Sequence, residues 1–119
     1  MGGLNVYQIT ITKRREAGSI KHKKKQCIYI QARLHAAETH GSIVMSKIIK
    51  EFTENYEKYD KLLSTNIIKL VPMINPDGVV LGNSRSSLAG VDLNRRWGNP
   101  NAIMHPEIYF LKENMRQTS

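Results

Sequence analysis

The 119 residues, 40% of them apolar with a mean hydropathy of -0.41, are expected to make one domain at most, with a single modest core. No stretch approaches the roughly 18–20 apolar residues needed to cross a membrane. The net charge of +8 is uneven: seven Lys and Arg against one acid, Glu16, place +6 of it between Lys13 and Lys25.

Met1 to Asn5 has neither a basic n-region nor an apolar h-region, so no secretory signal is expected. Val6 stands where a myristoylation motif requires Ser or Thr. Residues 4–12 (LNVYQITIT) are rich in Val, Ile, Tyr and Thr and predict a first strand. The basic run 13–25 follows as a long hairpin loop. Its charge suits either a solvated tip or a surface for an anionic partner, and it has no aromatic residue to stack on bases, so nucleic acid is not an expected partner.

Residues 27–34 (CIYIQARL) predict a second strand. The single Cys27 cannot form an internal disulfide and is expected to be a small buried hydrophobe, in keeping with a reducing, intracellular compartment. Thr39-His40-Gly41-Ser42 starts a helix with Ser42 as its N-cap, and Ile43, Val44, Ile48, Ile49, Phe52 and Tyr56 recur at helical spacing. Residues 67–73 (IIKLVPM) predict a third strand, ended by the turn Asn75-Pro76-Asp77-Gly78. Residues 79–89 read as loop and 104–115 as a last helix with Pro106 near its first turn. Strand, helix, strand is the sign of an α/β unit with parallel pairing between the second and third strands. Three strands make an unusually small sheet, so the chain is expected to be part of a fold.

Two segments carry chemistry. His35-Ala36-Ala37-Glu38 leaves the end of the second predicted strand, and an imidazole and a carboxylate at i, i+3 can fill two positions on a zinc ion. Such a pair is common by chance and is as readily structural. Of the other histidines, His22 lies in the basic run, His40 opens the helix and His105 precedes Pro106, so none offers a convincing third ligand. The second segment is Gly90-Val91-Asp92-Leu93-Asn94-Arg95-Arg96-Trp97, with Arg85 before it. A guanidinium matches a carboxylate bidentately, an asparagine amide adds a donor, and a further arginine can stabilise an oxyanion. The plainer reading pairs Asp92 with a neighbouring Arg and leaves the others, Arg96 above all, on the surface.

In this order the segments resemble the zinc carboxypeptidase family, most closely its cytosolic carboxypeptidase branch. The resemblance rests on residues 31–39 (QARLHAAET), 71–79 (VPMINPDGV) and 82–95 (GNSRSSLAGVDLNR), and on His105-Pro106. It implies that His35 and Glu38 are zinc ligands, that Arg85 stabilises the oxyanion, and that Asn94 and Arg95 grip the substrate's C-terminal carboxylate. The implied fold is α/β, the truncated N-terminal part of a zinc carboxypeptidase-type mixed sheet with flanking helices. Residues 1–119 would form one partial peptidase catalytic domain. The implied cofactor is Zn2+, and the implied reaction is hydrolysis of C-terminal residues, glutamate by preference, from protein tails such as that of tubulin. The implied setting is the cytoplasm, with association to the cytoskeleton or cilium. Three departures stand out: Ala36-Ala37 replaces the family's Pro-Gly, His40 replaces an asparagine, and neither a third ligand nor a glutamate base is found. The isolated chain is therefore expected to be inactive, and a non-catalytic binder of acidic C-terminal tails is the alternative.

Overall fold

The computed structural model describes residues 3–14 and 24–118. Three strands, β1 (Ile9–Ile11), β2 (Gln26–Gln31) and β3 (Asn66–Val71), form one mixed sheet in the order β1-β3-β2. β3 runs antiparallel to β1, with Ile9 opposite Leu70, and parallel to β2, with Gln26 opposite Asn66 and Gln31 opposite Val71. The expected parallel pair is found. β3 takes the centre because its run of Ile, Leu and Val can be covered on both faces, and its last four residues are buried.

The alternation of β3 divides the core in two. Ile68 and Leu70 pack with Met45 and Leu63 beneath helix α1 (Thr39–Glu54) and helix α2 (Asp60–Thr65). Val71 packs with Ile74, Leu93, Ile108 and Leu111 beneath helix α4 (Pro106–Thr118). Lys69 lies on the α4 side, where its Nζ donates to Asn114 Oδ1 at 2.9 Å and sits 5.8 Å from the centre of the Tyr29 ring. Tyr29 hydroxyl reaches the same Asn114 oxygen, also at 2.9 Å.

Several expected elements are corrected. The strand expected over 4–12 pairs only at Ile9–Ile11, because the Asp77 carboxylate takes the amide N–H groups of Gly3 and Leu4, both at 3.2 Å. The strand expected over 27–34 closes at Gln31, ahead of a left-handed Arg33 with φ 55°. Ser42 is not the N-cap. It lies inside the first turn of α1, which follows Glu38, and its Oγ accepts from Arg33 Nη1 at 2.9 Å. The apolar stripe of α1 is Met45, Ile48, Ile49 and Phe52, at ideal i, i+3, i+4, i+7 spacing. Ile43 and Val44 fall off that stripe and are 60% and 54% exposed, and Tyr56 belongs to the 3-10 turn Tyr56–Tyr59. Cys27 is half-buried, since β2 is an outer strand.

The expected turn at Asn75 is instead the start of a short helix, α3 (Pro76–Val80), with Pro76 at its first position. Of the basic run, residues 15–23, including His22, lie outside the described residues. Lys13 and Lys25, at its ends, are not loose: Lys13 pairs with Asp60 at 2.7 Å, and Lys25 Nζ donates to Thr12 Oγ1 at 2.9 Å. Among the described residues, no helix is long and apolar enough to cross a membrane.

Candidate metal and carboxylate site

The parallel strands β2 and β3 end side by side, and the loops leaving them are stitched together. Ala32 N–H donates to Val71 O at 3.0 Å, Ile74 N–H to Ala32 O at 3.0 Å, and Asn75 N–H to Arg33 O at 3.1 Å. Ligand sites in open α/β sheets collect at this end of the strands. His35 leaves here. Glu38 N–H donates back to His35 O at 3.3 Å, closing a turn that aims both side chains the same way. His35 Nδ1 then lies 3.0 Å from Glu38 Oε1.

The second half of the site is a hairpin. Ser86 and Asp92 bridge its strands, with Ser87 N–H on Val91 O at 2.9 Å and Gly90 N–H on Ser87 O at 3.0 Å. Gly90 takes φ 73°, a left-handed turn position that glycine fills without a Cβ penalty. Two ties fasten the hairpin to the loop that carries His35 and Glu38. Ala37 N–H donates to Ser84 O at 2.9 Å, and the fully buried Asn75 donates from Nδ2 to Ser86 O at 3.1 Å.

Asp92 is where the halves meet. Its Oδ1 meets His35 Nε2 at 3.0 Å and accepts from the Asn94 backbone N–H at 2.9 Å. Its Oδ2 accepts from Arg85 Nη2 at 3.2 Å and Nε at 3.4 Å. Burial alone would raise the Asp92 carboxyl; hydrogen bonds from His35, the Asn94 amide and Arg85 outweigh it and hold the pKa at about 2. Arg85 Nη2 also lies 3.0 Å from His35 Nε2; in the tautomer that donates Nε2–H to Asp92, the arginine's bond is with the carboxylate. Arg85 is 52% exposed, which leaves a face of its guanidinium open to a ligand.

Proton accounting shows what the pair can hold. A His35 ring whose single proton sits on Nε2, donated to Asp92, would present its Nδ1 lone pair to the Glu38 carboxylate. Two electron-rich atoms at 3.0 Å need a proton or a metal ion between them. A tetrahedral zinc with bonds near 2.1 Å separates its ligands by about 3.4 Å, a few tenths more than is found. Glu38 is half-exposed and free to open that far. The residues fit two positions of zinc. Among the described residues, no group of three or more His, Cys, Asp or Glu is placed to hold a metal, so this is a half-site.

Asn94 and Arg95 lie in the 3-10 turn Leu93–Arg95, capped by the Asp92 carboxylate and anchored by the fully buried Leu93. Their side chains, like that of Arg96, are exposed. The structure thus brings His35, Glu38, Arg85 and Asp92 into one cluster and joins Asn94 to it through its backbone N–H. His40 is exposed on α1, and His105 Nδ1 accepts from the Asn101 amide at 3.1 Å, away from the cluster. Asp92 has a larger part than sequence reasoning gave it; its place before Leu93-Asn94-Arg95, as a cap, was the available signal.

The zinc carboxypeptidase family model matches residues 1–114. The chain belongs to the zinc carboxypeptidase family. Among its relatives, cytosolic carboxypeptidase 1 of Danio rerio is 40% identical over 116 residues, covering 94% of this chain and 10% of that protein. Cytosolic carboxypeptidase 6 of Caenorhabditis elegans is 43% identical over 93 residues, covering 78% of this chain and 20% of that protein. The chain therefore spans a tenth to a fifth of the length of these curated relatives. The fold agrees with solved family structures. A metallo-carboxypeptidase from Burkholderia cenocepacia superposes with a TM-score of 0.79 at 26% identity, covering 94% of this chain and 30% of that one. A metallo-carboxypeptidase from Pseudomonas aeruginosa, in complex with (2-guanidinoethylmercapto)succinic acid, gives 0.67 at 27%, covering 96% and 29%.

Proposed function

We propose that this chain carries the first metal ligands and the carboxylate clamp of a zinc carboxypeptidase that removes C-terminal residues from proteins, as one partial catalytic domain over residues 1–119. The observation that carries the reading is the Glu38–His35–Asp92 line, with Nδ1 facing Glu38 and Nε2 fixed by Asp92, each at 3.0 Å. Zinc, when bound, supplies Lewis-acid chemistry: it polarises the scissile carbonyl and acidifies water. The chain's own residues do the rest of what this portion contributes. His35 and Glu38 hold the metal, and Asp92 keeps the imidazole in the tautomer that frees Nδ1. Arg85, exposed and next to the pair, donates to the oxyanion that develops on the carbonyl, while Asn94 and Arg95 take the terminal carboxylate.

The preferred substrate in this reading is an acidic tail ending in glutamate, such as that of tubulin. A net charge of +8 and the exposed Arg85, Arg95 and Arg96 support it. Cytoplasm is the matching location, since the relatives are named cytosolic carboxypeptidases, and a place on the cytoskeleton or cilium would follow from a tubulin-like substrate. The clamp is tested by comparing a peptide acid with its C-terminal amide: the acid binds more tightly, and equal affinities overturn the clamp.

The half-site favours a second reading for the isolated chain, a binder of acidic C-terminal tails that does not cut them. Zinc-dependent release of C-terminal glutamate by the purified 119 residues would contradict it.

A further inference from the structure

Arg33 is the only non-glycine residue with positive φ among the described residues, at 55°. Left-handed backbone is disfavoured for a side chain with a Cβ, and residues held in it cluster where geometry matters to function. Arg33 sits two residues before His35, at the exit from β2. Its backbone is held by the bond from Asn75 N–H to its carbonyl, at 3.1 Å. Its guanidinium turns forward over the metal loop: Nε and Nη2 both donate to Ala36 O, at 2.9 and 2.6 Å, and Nη1 donates to Ser42 Oγ at 2.9 Å. The fork thus grips the loop between His35 and Glu38 and ties it to the first turn of α1. Ala36 is 2% exposed, so its carbonyl has little access to water as a substitute partner.

We propose that Arg33 is the positioning residue of the metal half-site. Its left-handed backbone turns the chain out of the sheet, and its guanidinium fixes Ala36 so that His35 Nδ1 and Glu38 Oε1 converge on one point. The loop itself, Ala36-Ala37, carries no proline to restrict its backbone, so the fork is what holds it. A lysine cannot replace it fully, because an ammonium has no planar fork to reach Ala36 O and Ser42 Oγ together. The role rests on the reading of His35 and Glu38 as metal ligands, and the test separates the two.

Zinc is titrated into the 119-residue chain and into Arg33→Gly, Arg33→Ala and Arg33→Lys, with 15N relaxation at residues 36–38 recorded before zinc is added. Arg33→Gly removes the backbone strain together with the fork, so a purely local strain effect would leave it as ordered as the parent. The proposal expects zinc affinity to fall at least about tenfold in the Gly and Ala variants, with part of it kept in Lys. It also expects order parameters at 36–38 to drop from about 0.85 to below about 0.6 while β3 keeps its own. A parental affinity or a parental loop order in Arg33→Gly overturns it. If the parent takes up no zinc yet the variant loop loosens, the metal reading falls and the positioning of the loop stands.

Discussion

His35 and Asp92 lie 57 residues apart in the chain and meet through Nε2 and Oδ1 at 3.0 Å. That one contact decides which ring nitrogen is free. It also joins the loop after β2 to the hairpin that carries Arg85 and to the turn that carries Asn94 and Arg95. Asp92→Asn keeps the shape but offers His35 an amide that can donate where it should accept. Zinc affinity is expected to fall about 10- to 100-fold, measured by calorimetry, with the circular dichroism spectrum unchanged. An unchanged affinity would remove Asp92 from the site.

Gly78 is set by close approach. A Cβ there would lie 2.5 to 2.7 Å from the Asn75 side chain. Asn75 cannot move aside, being fully buried and bonded to Gly78 N–H at 2.9 Å and Ser86 O at 3.1 Å. Gly78→Ala is therefore expected to cost about 1–3 kcal/mol in a denaturant titration, and to loosen the Ser86 hairpin with it. A midpoint within error of the parent would show that the pocket around Asn75 can give.

Glu107, in the first turn of α4, has a buried Oε2 with no hydrogen-bond partner among the described residues. Burial pushes its carboxyl up; its own amide pulls the other way, and the negative charge of Asp77 adds to the rise. A carboxyl whose folded pKa is raised binds its proton more tightly when folded, so stability falls as pH climbs from the ordinary glutamate value through the raised one. Glu107→Gln is expected to melt higher than the parent at pH 7, the gap closing toward pH 4. A gap that is constant across that range would contradict the titration.

How far the sequence reveals this fold follows from which forces are local. β3 and its parallel partner are legible because a β-branched run between turn residues has few other fates. The His35–Glu38 pair and the Arg85, Asn94 and Arg95 segment are legible as candidates through spacing and order. Ser42 and Gly78 mislead, because a serine that looks like a cap is used by Arg33, and a turn signal is drawn into α3 by the buried Asn75. The left-handed turn at Arg33 leaves no mark in composition or period, since it is imposed by long-range partners. The Asp92 contact with His35 is likewise tertiary: the local pattern shows a cap for Leu93–Arg95 and nothing of the imidazole.

The central claim is that Nδ1 of His35, with Glu38, is the metal-binding face. It is tested most directly by zinc titration of 15N-labelled chain, following both ring nitrogens of His35. Zinc is expected to shift Nδ1 while Nε2 stays protonated on Asp92, and Glu38→Gln is expected to weaken the response. A shift at Nε2 in place of Nδ1, or ring nitrogens that do not respond to zinc, would contradict the account.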